Sequence, residues 1–242
     1  RKLPAKYRRT AAASLSSLID GFPECCVYER VAPTLLRIAH LGPEDGCHNP
    51  GKGKEEEEED NSDPIMEARA ITCLAAAWPR LPATAAAASA PGATGPSGTA
   101  WAAVHRVQRR HAARISQALA RSFRLKVWSV RVPILKAMES IVRGGGGGAV
   151  FGRSVAAPVV TGAVISDAVQ VAEAGTQDLK YSQVRAAALS VILALASRKE
   201  LRVGLTPHKE GLLAAARRGA EDKDPRVATV GSKAAQMLAW WP

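Results

Sequence analysis

Three short segments of this chain contain residue types that could do chemistry, and the first is the glycine run Gly144–Gly148. A phosphate-binding loop would follow a strand and end in Gly-Lys-Ser or Gly-Lys-Thr, and this run has neither feature. Ser154, which follows Gly152 and Arg153, lacks the flanking pattern and the sheet of a nucleophile elbow. Glu55–Glu59 lacks the spaced ligands and the turn glycine of a calcium-binding EF-hand. We therefore expect no catalytic residue, and the sequence predicts that the protein is not an enzyme.

Cysteine and histidine are the residue types that could hold a metal in this chain. Cys47 and His48 could combine with Cys25 or Cys26, but no pair among them has the spacing of a zinc finger. We therefore expect no metal, no cofactor and no small-molecule substrate.

The cysteine pattern and the hydropathy also bear on where the protein works. Cys25 and Cys26 are adjacent and no CxxC spacing occurs, which favours a reducing compartment over a secreted disulfide framework. The longest apolar candidate, residues 149–172, is interrupted by charged residues and a proline, so we predict no transmembrane segment. We expect a cytoplasmic location, with the nucleus as a second one. Because the chain begins with Arg1 and not Met, we interpret it as part of a longer protein.

Two arginines occupy equivalent places in two apolar helical patterns. Arg185 follows Val184, and Arg131 follows Val130. From each valine the apolar residues continue at steps of four, three, one and three, which places them on one face of a helix: Val184, Ala188, Val191, Ile192 and Leu195 in one segment, and Val130, Ile134, Ala137, Met138 and Ile141 in the other. In HEAT-like repeats such arginines typically reach an acidic residue of the neighbouring repeat. We therefore expect Arg131 and Arg185 to set the stacking of repeats, with ligand binding as the alternative.

The same steps occur elsewhere and predict a repeat protein. They fit from Tyr7, which Arg8 follows, and from Val227, where Ala228 replaces the arginine. The interval from Val184 to Val227 lies within the range of about 40–47 residues that HEAT and armadillo units span. The chain is rich in alanine, which favours helices, and has no long alternating run that would indicate a sheet. We predict an all-α protein, an α-solenoid of about five HEAT- or armadillo-like helix pairs over residues 1–242, with stacking neighbours forming the core.

Caps, breakers and apolar patterns place the helices and three inserts. The predicted helices are Leu3–Asp20, Val27–His40, Asp63–Trp78, Trp101–Phe123, Lys126–Arg143, Val155–Ala174, Lys180–Ser197, Pro207–Arg218 and a last one opened by Asp224-Pro225 and ending at Trp240-Trp241. Pro133 is expected to bend its helix or to confine the regular part to the residues after it. The inserts are an acidic segment at 42–62, an Ala/Pro/Gly segment at 81–100 and a Gly-rich loop at 144–153. We expect the acidic insert to be disordered, because like charges repel and it has almost nothing apolar to bury.

The charge of the chain is uneven. The formal net charge is +11, although ten acidic residues lie between Gly42 and Glu67. From Ala68 to Pro242 there are 24 basic and 9 acidic residues. A basic face could attract nucleic acid, acidic lipid or an acidic protein surface, or it could serve only as a solvated face that keeps the chain soluble. We expect the solvated face.

Several segments together resemble a known family. They are CLAAAWPR from Cys73, LKVWSVRVPILKAMESI from Leu125 and KYSQVRAAALSVI from Lys180, with KYRRTAAASLSSL from Lys6 resembling the preceding repeat. In that order they resemble the C-terminal end of the proteasome adaptor and scaffold family, which are very large HEAT-repeat proteins that bind the 26S proteasome. The likeness covers half of the chain in pieces. It does not include 81–99 or 144–152, which look like lineage-specific loop expansions.

The resemblance implies a function but no site. It implies a non-enzymatic scaffold or adaptor that tethers the proteasome core and regulatory particles and links them to other cellular structures. It supplies no catalytic, cofactor or metal residues, and the residues that contact the partner are not indicated. An importin-like cargo adaptor, or a solenoid that binds nucleic acid through its basic face, remains the alternative.

Overall fold

The protein is all-α, as predicted, in the parts that the computed structural model describes: residues 25–39, 63–78, 97–144 and 160–241. The helices are α1 Cys25–Ile38, α2 Pro64–Ala76, α3 Ser97–Phe123, α4 Trp128–Gly144, α5 Gly162–Thr176, α6 Ser182–Ala196, the single turn α7 Arg202–Leu205, α8 Lys209–Ala220 and α9 Pro225–Ala239. Short 3-10 helices at Lys199–Leu201 and Thr206–His208 flank α7. The predicted helix Leu3–Asp20 and the acidic insert 42–62 lie outside the described residues.

The helices stack serially in two rows. α2, α4, α6 and α9 pack one against the next, and we call them the first row. α1, α3, α5 and α8 also contact one another in chain order, and they form the second row. Each second-row helix packs against the first-row helix that follows it, so pairs are added one after another along the chain. This arrangement confirms the predicted all-α, solenoid-like fold.

The apolar stripe of the first row forms the centre of the core. All five stripe residues predicted in α4 and all five in α6 are buried, and in α9 Val227, Gly231, Ala234 and Leu238 are buried while Ala235 is half-buried. The same steps also fit α2, where the buried residues are Met66, Ala70, Cys73, Leu74 and Ala77. This last match was not predicted from the sequence. Each stripe is buried only because the next pair covers it.

Two aspartates begin first-row helices as predicted. Asp63 Oδ1 accepts a hydrogen bond from the backbone N–H of Ile65 at 3.1 Å, and Pro64 is the first residue of α2. Asp224 Oδ1 accepts one from the backbone N–H of Arg226 at 2.9 Å, ahead of α9. A carboxylate at this position satisfies an N–H that has no partner inside the helix, and it complements the positive end of the helix dipole.

Two of the predicted inserts are shorter in the structure: the 81–100 insert, where α3 begins, and the 144–153 insert, where α4 ends. α3 begins at Ser97, so the last residues of the 81–100 insert are helical. Gly144 is the last residue of α4 and not part of the loop, since its carbonyl accepts a hydrogen bond from Gln108 Nε2 at 2.6 Å. A Cβ at Gly144 would lie 2.7 Å from the ring of Trp78, so a glycine allows this close approach.

Pro133 does not confine α4 to the residues after it, because the helix begins at Trp128. Val130 and Ile134, on either side of the proline, are both fully buried, and their packing stabilises the first turns. α5 begins at Gly162, later than the predicted Val155, with Thr161 in an extended conformation before it.

The segment between α6 and α8 is the largest difference from the prediction. Residues 199–206 were not expected to be helical, yet residues 199–208 form three short helical segments before α8 begins at Lys209. Leu201 and Leu205 are both buried there, four positions apart. Burial of these leucines stabilises a helical turn that is too short to give a periodic signal in the sequence.

Candidate protein-binding edge

The turns that lead into the first-row helices lie along one edge of the stack. They are residues 124–127 before α4, 177–181 before α6 and 221–224 before α9. A side chain from the first turn of each of α2, α4 and α6 reaches the turn before the next first-row helix. We call this side of the molecule the turn edge.

Arg185 joins α6 to the turn before α9. Its Nε donates to Asp222 Oδ2 at 2.6 Å and its second terminal nitrogen to Asp222 Oδ1 at 3.0 Å, which is a bidentate pair. The remaining terminal nitrogen donates to the backbone carbonyl of Asp178 at 2.9 Å. The hydrogen bonds from the Arg185 guanidinium lower the pKa of Asp222, and those same bonds raise the pKa of Arg185. Both groups are therefore charged at neutral pH.

Arg131 makes the equivalent connection one unit earlier. Its Nε donates to the carbonyl of Lys126 at 2.7 Å and a terminal nitrogen to the carbonyl of Arg124 at 3.3 Å. The other terminal nitrogen lies 3.3 Å from Asp178 Oδ2, in the turn before α6. The prediction that Arg131 and Arg185 reach acidic residues of the neighbouring unit is confirmed. Each arginine holds two turns at a fixed distance from each other.

A third connection has the opposite polarity and was not predicted. Glu67 is the fourth residue of α2, as Arg131 is of α4 and Arg185 of α6. Its Oε2 lies 2.9 Å from Lys126 Nζ in the turn before α4. Fitting the stripe steps from Met66 would have placed Glu67 at the arginine position.

Large apolar side chains protrude from the same turns. Leu125 is 85% exposed and Leu179 is 99% exposed, while Val127 is about half exposed. Trp128 stacks on Tyr181 with ring centroids 4.9 Å apart, so the first residue of α4 contacts the turn before α6. Tryptophan, tyrosine and arginine are the residue types that dominate the energetics of protein interfaces, and exposed large apolar side chains beside them indicate an interaction surface.

A shallow cavity of about 470 Å³ adjoins this surface between α6 and α9. Leu179, Leu189 and Val227 give it an apolar lining, and the Arg185–Asp222 pair lies at its polar side. An apolar side chain of a partner could enter it next to a fixed polar pair, which is a common arrangement at binding sites.

Trp78, Trp128, Trp240 and Trp241 have several environments. Trp78 and Trp241 are buried. Trp128 belongs to the turn edge, and Trp240 is 79% exposed.

Of the residues that could in principle hold zinc, Cys47 and His48 lie outside the described residues. Within 25–39, 63–78, 97–144 and 160–241, no three His, Cys, Asp or Glu side chains converge on a possible metal position.

In the described part of the chain, no helix combines the length and the apolar character that crossing a membrane requires.

Comparisons with known proteins find similar solved structures but identify no family. No family model matches this chain, and no curated protein matches it. It is similar to two crystal structures of engineered proteins from the Northeast Structural Genomics Consortium. One is 14% identical with a TM-score of 0.45, over 98% of this chain and 94% of that chain. The other is 12% identical with a TM-score of 0.46, over 98% of this chain and 92% of that chain.

Proposed function

We propose that this chain is a non-enzymatic scaffold or adaptor module that binds other proteins through its turn edge. The observation that carries the proposal is the pair of exposed leucines, Leu125 and Leu179, on adjacent turns that Arg131 holds together. An apolar surface on fixed turns loses little conformational freedom when a partner covers it, and that favours binding. Repeat proteins use such long, regular surfaces to bind partners without catalysis.

The partner that we propose is the 26S proteasome. This part of the proposal is supported by the resemblance of the segments from Cys73, Leu125 and Lys180 to the proteasome adaptor and scaffold family. Two of those segments contain the turn-edge residues Trp128 and Tyr181. In this function the HEAT-like stack tethers proteasome particles in the cytoplasm or nucleus, and the partner supplies apolar side chains that cover the two leucines.

A binding assay with purified 26S proteasome and the immobilised chain tests the proposal. The unchanged chain should retain proteasome, and Leu125→Asp with Leu179→Asp should weaken retention by at least about tenfold, because each leucine contributes roughly 1.5–3 kcal/mol when buried. Val203→Asp is the matched control, since Val203 is 87% exposed but lies in α7, away from the turn edge. Failure of the unchanged chain to bind refutes the proteasome as partner. Equal retention by the double variant refutes the turn edge as the surface.

A further inference from the structure

A second surface, on α3, is strongly basic and separate from the turn edge. Five arginines of this helix are exposed: Arg106, Arg109, Arg110, Arg114 and Arg121. The helix, from Ser97 to Phe123, contains no aspartate or glutamate. We call these five residues the arginine face.

The arginines are arranged along one side of the helix. Arg106, Arg110 and Arg114 are four residues apart, so their Cβ atoms follow one another at about 5–6 Å. From Arg106 to Arg121 the helix rises by about 22 Å at 1.5 Å per residue. The face is therefore a narrow strip of positive charge, one helix wide and several turns long.

Four of the five charges contribute little to holding the fold together. Arg106, Arg109, Arg114 and Arg121 make no ion pair or hydrogen bond with any residue that the structure describes. In contrast, Arg131 and Arg185 each bind a carboxylate of the next unit. Those four like charges on one helix repel one another, and an external anion would relieve that repulsion.

We propose that the arginine face binds an extended acidic segment, a run of aspartate and glutamate, of a partner protein. Alternate side chains of an extended strand lie about 6.6 Å apart, close to the spacing of Arg106, Arg110 and Arg114. Guanidinium groups bind carboxylates in a bidentate geometry, which favours arginine over lysine at such a site. Every cation on the face is an arginine.

The surroundings of the face favour a polypeptide over other polyanions. The neighbouring second-row helix α5 exposes Ala163, Ser166 and Gln170, so the basic surface does not extend across that side of α3. Between Arg106 and Phe123 no aromatic side chain is exposed, and single-stranded nucleic acid binding relies on such stacking platforms. No large apolar side chain is exposed on that length either, as insertion into a lipid surface would require.

Fluorescence anisotropy with a labelled oligoglutamate peptide tests this inference. Arg106→Gln, Arg109→Gln and Arg114→Gln together should weaken binding by at least about tenfold, because those side chains supply the carboxylate contacts. The control combines Arg217→Gln, Arg226→Gln and Lys233→Gln, which removes the same charge from exposed positions on α8 and α9. It should change affinity by less than about twofold at physiological salt, where distant charges are screened.

Three results would overturn the inference. They are no peptide binding by the unchanged chain, equal weakening in the two triple variants, and tighter binding of single-stranded RNA or phosphatidylserine vesicles than of the peptide. The Leu125→Asp, Leu179→Asp variant should bind the peptide normally, which separates this site from the turn edge. Circular dichroism of the α3 variant should be unchanged, since the three replaced side chains make no hydrogen bond or ion pair with any residue that the structure describes.

Discussion

Replacing Arg185 by alanine removes a connection between two units, and the structure allows the effect to be estimated. Arg185 makes two hydrogen bonds to the Asp222 carboxylate and one to the Asp178 carbonyl. The side chains of Arg185 and Asp222 are only 19% and 9% exposed. Breaking a buried ion pair by removing one partner typically costs about 3–5 kcal/mol, because a charge is left buried.

The expected loss for Arg185→Ala lies at the lower end of that range. The adjoining cavity lets water reach the carboxylate of Asp222, which would reduce the penalty of leaving it without Arg185. We expect the free energy of unfolding to fall by about 3 kcal/mol, and the melting temperature by about 6–12 °C for a chain of this size.

Urea unfolding followed by circular dichroism measures this change. Arg143→Ala is the matched control, because Arg143 also pairs with a carboxylate, Glu139, at 2.8 Å but is 59% exposed. Exposed pairs of this kind contribute about 0.3–0.5 kcal/mol, so the control should be nearly silent. A double-mutant cycle with Asp222→Ala should give a coupling energy of about 2 kcal/mol. Equal losses for the two arginine variants, or a coupling energy near zero, would refute the view that Arg185 joins the units.

Three further predictions concern the packing of Gly231, the ionisation of Asp222 and the stack of Trp128 on Tyr181. Gly231→Ala should lower the free energy of unfolding, measured in urea, by about 1–3 kcal/mol, since its Cβ would lie 2.5 Å from the backbone of α8. Gly162→Ala is the control and should leave that free energy unchanged, because a Cβ there would have nothing within 4 Å. The lowered pKa of Asp222 means that its ionisation stabilises the fold fully above the unfolded-state pKa of about 3.9, and that this stability is lost as pH falls further through the folded-state pKa. In urea unfolding, Asp222→Asn should therefore be less stable than the unchanged chain at neutral pH, and its stability should fall less as the pH drops below about 4. Trp128→Ala should reduce the near-ultraviolet circular dichroism signal, because it removes the stack on Tyr181. The far-ultraviolet signal, which reports helix content, should change little.

The serial stacking could be predicted because it is repeated in the sequence. The stripe steps from Val130, Val184 and Val227 identify the buried face of three first-row helices, and the arginines at two of them identify the connections. Periodicity shows a helix face directly, since burial recurs with the helical turn.

Features that depend on one contact were not predictable. The Glu67–Lys126 pair has the opposite charge order from the arginine connections, so a search for arginine could not find it. The helical end of α4 at Gly144 depends on Gln108, which is 36 residues away in the chain. The exposure of Leu125 and Leu179 is set by the turns, where apolar periodicity gives no information.

Hydrogen–deuterium exchange of the chain with and without purified 26S proteasome tests the central claim most directly, because it reports which backbone amides a partner covers. We predict slower exchange in the turns 124–127 and 177–181, with the exposed second-row helix α5 unchanged. Slowing confined to the second row, or no change in either turn at saturating proteasome, would contradict the assignment of the turn edge as the binding surface.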